Sequence, residues 1–162
     1  MYEIDQIISY GNKGLCKIVD IIMKEVNNKE IPYYILKPVY EEDSTIFIPQ
    51  DNKKLTDKFQ ELITKKEIYS ILENVSSHTL LLEKNSKSRE IEYKELLETG
   101  THIDLLKLII MLYNKKEEES KLTMIDSNAF KEAEKKLYRE IAFVLDIELE
   151  NVEPFIKNYY KN

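Results

Sequence analysis

Three stretches decide the fold: Tyr10-Gly11-Asn12-Lys13-Gly14, Tyr34-Ile35-Leu36-Lys37-Pro38-Val39 and Ser44-Thr45-Ile46-Phe47-Ile48-Pro49. All lie in the first fifty residues of a 162-residue chain. They are short β-type runs closed by turn residues. Gly11 and Gly14 are two of only three glycines; glycine accepts positive φ, so their spacing predicts a tight turn after a first strand that ends at Tyr10. Leu15 to Ile22 alternates loosely as a second strand, and Val26-Asn27-Asn28-Lys29-Glu30 is a polar turn. Tyr33 to Leu36 forms a third strand, with Pro38 at its end, and Thr45 to Ile48 a fourth, closed by Pro49. Several short strands at this spacing predict a barrel or sandwich.

Beyond about residue 52 the pattern turns helical. Asp51 or Asn52 can cap a helix, and Leu55, Phe59, Leu62 and Ile63 follow at helical spacing. Ile68, Ile71, Leu72 and Val75 make another short face, while Val75 to Leu82 fits either helix or extended chain. A helix over Ser88–Thr99 stops at Gly100. The nearly continuous apolar run from Ile103 toward Glu119 predicts a buried central helix. Thr123-Met124-Ile125-Asp126 is a capping-box variant. Behind it Ile125, Ala129, Ala133, Leu137, Ile141 and Leu145 recur every four residues, and Val152 to Tyr160 reads as a last short helix. The expected organisation is α+β: a small barrel over residues 1–54 and an all-helical bundle over 55–162, joined by a helical junction.

Composition narrows the function. The 43% hydrophobic content suffices for real cores, and no apolar run reaches the roughly 18–20 residues of a membrane span. The acidic start Met1-Tyr2-Glu3-Ile4-Asp5 lacks a signal-peptide pattern, and the single Cys16 cannot form an internal disulfide, so a reducing cytoplasm is expected. The net charge is −6, with 10 basic and 12 acidic residues in 1–69 and 14 and 18 in 70–162. Non-specific phosphate binders are usually basic. Any DNA contact must therefore come from a local patch or be delivered by a partner.

No catalytic constellation is visible. His78 and His102 stand outside any metal-ligand spacing, Cys16 reads as a small core residue, and Gly11-Asn12-Lys13-Gly14 is too short to cradle a phosphate. The acid runs Glu41-Glu42-Asp43 and Glu117-Glu118-Glu119 fit solvated turns or helix ends, and the eleven tyrosines fit half-buried packing, with Tyr159-Tyr160 docking the tail. The chain is expected to act by binding, not as an enzyme, without a cofactor, metal, membrane or small-molecule ligand.

Tyr-Gly-Asn-Lys-Gly, Tyr-Ile-Leu-Lys-Pro-Val-Tyr, Ser-Thr-Ile-Phe-Ile-Pro and Asp-Asn, in that order, resemble the CarD family of bacterial transcription regulators. So do Arg89-Glu90, Tyr93 to Gly100 and Lys131 to Ala142 in the helical part. The barrel is also similar to the polymerase-interacting domain of transcription-repair coupling factors, although no ATPase region accompanies it here. The resemblance implies a Tudor-like (SH3-like) barrel that binds the β subunit of RNA polymerase. It also implies a helical domain that touches promoter DNA at the upstream edge of the melted region and stabilises the open complex.

The resemblance further implies where contacts fall. The polymerase surface would pair with the edge strand Thr45-Ile46-Phe47-Ile48, closed by Pro49, with Lys24 at a second contact. The family often has a basic residue near Phe47, so this chain would use an apolar anchor. Many relatives wedge a Trp into the minor groove from the start of the helix near 85–88; this chain has no Trp, and Asn85, Ser86 and Lys87 stand there. DNA contact would rest on Lys87, Arg89 and Lys94, with Lys135, Lys136 and Arg139. Interleaved Glu90, Glu92, Glu95, Glu132 and Glu134 suit a solvated helix face equally well. The alternative is a protein-only adaptor, with the same strand pairing and no direct DNA role.

Overall fold

The computed structural model describes residues 1–41, 43–75 and 85–160. Glu42, His78 and the ambiguous 76–82 run lie outside the described residues. The chain divides into two compact units, 1–62 and 63–162.

The first unit is an antiparallel sheet of five strands, β1 (Ile7–Tyr10), β2 (Gly14–Val26), β3 (Lys29–Pro38), β4 (Ile46–Pro49) and β5 (Phe59–Gln60), in the order β4-β3-β2-β1-β5. β4 and β5 are its two edges, so the described strands form an open sheet where a closed barrel was expected. The turn between β1 and β2 is as the glycines predict: Gly11 and Gly14 have φ of 47° and 70°. The polar turn of the β2–β3 hairpin shrinks to Asn27 and Asn28, both at positive φ (53° and 59°). This is the backbone of a two-residue hairpin turn whose twist matches the strands. The ladder therefore runs on to Val26↔Lys29, well past the expected strand ends.

The expected helix through Leu55, Phe59, Leu62 and Ile63 is not formed. A four-residue helix, α1 (Lys53–Thr56), is capped by Asn52, whose side chain accepts from the Leu55 N–H. The chain then extends so that Phe59 pairs with Tyr10. Phe59 is held by rings rather than by helical neighbours: Tyr2, Tyr10 and Tyr34 surround it at centroid distances of 5.0–5.4 Å. With Ile8, Cys16, Ile18, Leu36 and Ile48 they make the core of the sheet. Because β5 belongs to this core, the first unit extends to Leu62, beyond the boundary placed at residue 54.

The second unit holds α2 (Lys65–Asn74), α3 (Ser86–Thr99), α4 (His102–Glu119), α5 (Met124–Leu145) and α6 (Val152–Tyr160). Threonines start three of them. Thr64 and Thr101 form reciprocal capping boxes with Glu67 and Asp104, and the Thr123 side chain accepts from the Asp126 N–H. α4 buries Leu105, Leu106, Leu108, Ile109 and Leu112, as its apolar run predicts. The four-residue repeat of α5 buries Ala129, Ala133, Leu137 and Ile141 against it. α3 ends at Thr99, but Gly100 has φ −64°, so no left-handed turn stops it. A Cβ there would lie 2.3 Å from the Leu96 carbonyl oxygen, so glycine is needed for close approach.

Candidate polymerase and DNA surfaces

β4 is an edge strand in register with β3 through Ile48↔Tyr34, Phe47↔Ile35 and Ile46↔Leu36. The Gln50 N–H donates to the Pro32 carbonyl at 2.8 Å. Hydrogen-bonded pairs alternate along an antiparallel ladder, so Ile48 and Ile46 turn their backbone groups toward β3. Phe47 then turns its N–H and C=O to the free edge. Pro49 sits where its missing N–H would also have faced outward, which costs the ladder nothing.

Side chains follow the same alternation. Ile48 is buried in the sheet core and Ile46 packs against it, so neither offers a side chain to a partner. Phe47 points out, 47% exposed. Lys24, from the long hairpin, lies over it with Nζ 4.2 Å from the Phe47 centroid and 5.3 Å from that of Tyr33. Two residues predicted from distant stretches, Lys24 and Phe47, thus meet on the outer face of the sheet, and Tyr33 joins them. Tyr33 was missed as a site residue, yet its pairing opposite Pro49 places it on the Phe47 side of the sheet. Cation–π contact at an exposed site is worth about 0.5–1 kcal/mol; it holds the ring and the ammonium in one place beside the open edge. Thr45 is exposed just before the strand.

The six basic residues predicted for DNA separate into two groups. Lys87, Lys94 and Lys135 are exposed and Arg139 is half-buried. Lys87 and Lys94 stand seven residues apart on α3, close to two helical turns, so they share a face. The exposed Ile91 lies between them. Arg89 and Lys136 are corrections. Arg89 is 9% exposed, and its Nε donates to Asp126 Oδ1 at 2.8 Å. Lys136 is 5% exposed and donates from Nζ to the Leu97 carbonyl at 2.7 Å. The fold buries both cations and engages them internally, where DNA contact was expected, with a solvated helix face as the alternative. Asn85 has its own task as well: its side chain accepts from the Lys87 and Ser88 N–H groups and caps α3.

These inward cations belong to two polar clusters that sequence reading did not find. Asp126, fully buried, accepts from Arg89 Nε, from the Tyr93 hydroxyl at 2.7 Å and from Lys115 Nζ at 2.8 Å. Burial alone would raise its carboxyl. The hydrogen bonds from Lys115, Tyr93, Arg89 and Thr123 outweigh it and hold the group at about 2. The cluster ties α3, α4 and α5 together. Glu140, 1% exposed, accepts through Oε1 from the Ile63 N–H at 2.8 Å and pairs with His102 Nε2 at 2.7 Å. His102, expected to decorate a helix start, begins α4 and is anchored there. Burial pushes the Lys136 ammonium down to about 8, with Glu140 and Glu98 pulling the other way. Cys16 is fully buried, its thiol pushed up to about 12 by desolvation, as suits a core residue. Among the described residues no group of three His, Cys, Asp or Glu side chains could hold a metal ion, and no helix is long and apolar enough to cross a membrane.

Residues 2–63 match the CarD-like/TRCF RID domain. No curated protein matches the chain. The matched stretch covers the open sheet, its aromatic core and the Lys24–Phe47 edge, and it ends one residue past the first compact unit. By that match the first unit is a CarD-like RNA polymerase-interacting domain.

Proposed function

We propose that this protein is a CarD-type transcription regulator that docks on the β subunit of RNA polymerase through the free edge of β4. The sheet does the work of the Tudor-like module: a strand of the β subunit extends it beyond β4, main-chain hydrogen bonds from Phe47 supply affinity, and the Phe47 ring supplies the apolar anchor. The observation that carries this reading is the exposed Phe47 under Lys24 on an open edge, inside the stretch that matches the RID domain. The helical unit then contacts promoter DNA through Lys87, Lys94, Lys135 and Arg139 and stabilises the open complex. The protein acts by binding, without a catalytic step, in the cytoplasm where the polymerase works.

A second reading has its own support. Two of the six basic candidates are engaged inside the helical unit, and the chain is acidic, which suits a protein-only adaptor that binds polymerase and a further protein. One experiment separates the two: binding to the isolated β lobe of the cognate polymerase, with promoter melting by holoenzyme followed in parallel. Binding with increased melting supports the regulator. Binding with unchanged melting supports the adaptor, and no binding sinks both.

A further inference from the structure

A cleft of about 560 Å³ opens in the helical unit between α4, α5 and the turn that joins them. That volume falls within the roughly 300–1,000 Å³ of small-molecule sites. Its walls follow from helical spacing. Tyr113, Lys116 and Ser120 recur at i, i+3 and i+7 along α4, and Ser127, Lys131 and Glu134 recur at i, i+4 and i+7 along α5, with Phe130 beside them. The two stripes face one another, and Lys121 and Leu122 close one end.

The chemistry along the cleft is graded. Lys116, Lys121 and Lys131 are exposed at its rim, and none forms an ion pair among the described residues. Three ammoniums outnumber the two carboxylates of the cleft, Glu134 (which Lys116 stabilises) and Glu153, and such an excess suits a polyanionic group. The hydroxyls of Ser120 and Ser127 add donors beside them. Tyr113 and Phe130 add two rings that a planar body could pack against, one face of Tyr113 being covered by Lys157 Nζ at 4.8 Å from its centroid. Two carboxylates also line the cleft, Glu134 of α5 and Glu153 of α6. Glu153 is paired with Lys157 Nζ at 2.5 Å, whereas Glu134 accepts no hydrogen bond from a described residue. Glu134 is half-buried, and burial, with Glu153 nearby, raises its carboxyl above the usual range. A desolvated acceptor without a donor costs free energy, which a ligand N–H would recover. Behind it a small recess of about 30 Å³, bordered by Ile109 and Tyr138, has room for little more than a water.

We propose that this cleft is a nucleotide site: phosphates among Lys116, Lys121 and Lys131, the base against Tyr113 and Phe130, and its N–H donors on Glu134. A guanine base fits best, because its ring N–H and exocyclic amine lie side by side and can reach one carboxylate together. Adenine offers only its amine on that edge. The site is independent of the β4 edge, and it departs from the expectation that no small molecule binds. No glycine-rich loop marks it in the sequence, since side chains from two helices make it.

The test is calorimetric titration of the full chain with GDP, ADP and inorganic phosphate. GDP should bind at one site, about tenfold tighter than ADP, as expected when one charged hydrogen bond is lost. Lys121→Ala and Lys131→Ala should each weaken GDP several-fold with unchanged circular dichroism, and Glu134→Gln should narrow the gap between GDP and ADP. Absence of GDP binding overturns the proposal. So does phosphate binding as tightly as GDP, which would reduce the cleft to an anion patch. Binding of a short DNA duplex through these lysines without GDP binding would overturn it too, making the cleft a nucleic-acid surface.

Discussion

Phe47 and Asp126 show how differently one side chain can matter. Phe47 is half-exposed and its neighbour Ile48 carries the packing, so Phe47→Ala should leave the thermal melt nearly unchanged. If the ring is the anchor of the polymerase contact, the same change should cost at least about 2 kcal/mol of binding, the mark of a hot spot. Pull-down or calorimetry on the β lobe reads this directly, and wild-type affinity in the folded variant removes Phe47 from the interface. Asp126 is the reverse case. Asp126→Asn keeps the shape but leaves Arg89 and Lys115 without their charge partner in a buried site, a loss of about 3–5 kcal/mol. Its carboxyl sits at about 2 when folded against an ordinary 3.8. The stabilisation is therefore fully present above pH 3.8 and disappears as pH falls toward 2. A urea series at pH 7 and at pH 2–4 should show the gap between wild type and variant closing with acid; a gap that stays constant would mean that the charge is not what Asp126 contributes.

At the scale of elements, the hairpin and the helix ends are the sensitive points. Asn27 and Asn28 both occupy the left-handed region, where a β-branched residue is penalised by about 1–2 kcal/mol. Asn28→Val should lower the melting temperature of the first unit accordingly, and Asn28→Gly should hold or raise it; equal effects would exclude the two-residue turn. Lys136 on α5 gives a test on the alkaline side. With its folded value near 8, below the ordinary 10.5, the unfolded chain binds more protons between those values, so stability rises with pH there. The rise should vanish in Lys136→Met when the two stability curves are subtracted. The same elements show how far sequence carries. Four strands, the glycine turn and the stripe of α5 were legible because period, turn chemistry and capping act locally. Phe59 was not: four residues after Leu55 it imitates a helix, and a two-residue strand has no period to betray it. Only pairing with Tyr10 and the tyrosine cluster fixes it. Arg89, Lys136 and Glu140 escaped for the same reason, since a charge on a Glu-rich helix looks solvated until another helix covers it.

For the whole molecule the question is whether an acidic chain acts on DNA at all. With a net charge of −6, long-range attraction to a duplex is unfavourable, so the free protein should bind promoter fragments only weakly at physiological salt. If the protein is tethered to polymerase as proposed, the local concentration rises and a few lysines would suffice. Each phosphate contact contributes about 0.9 to the slope of log affinity against log salt. Of the exposed candidates, Lys87 and Lys94 share one face of α3 and touch neither polar cluster. The double variant Lys87→Ala/Lys94→Ala should therefore keep the melt and the polymerase affinity of the wild type. Its effect on promoter melting by holoenzyme should be weaker, with a salt slope lower by about 2. Polymerase binding in the absence of DNA should not change. If the slope is the same in both proteins while melting is enhanced equally, α3 does not face the phosphates and the lysines there only solvate the helix. If the slope drops as expected, DNA contact is made without a tryptophan wedge, carried by two lysines on a helix capped by Asn85.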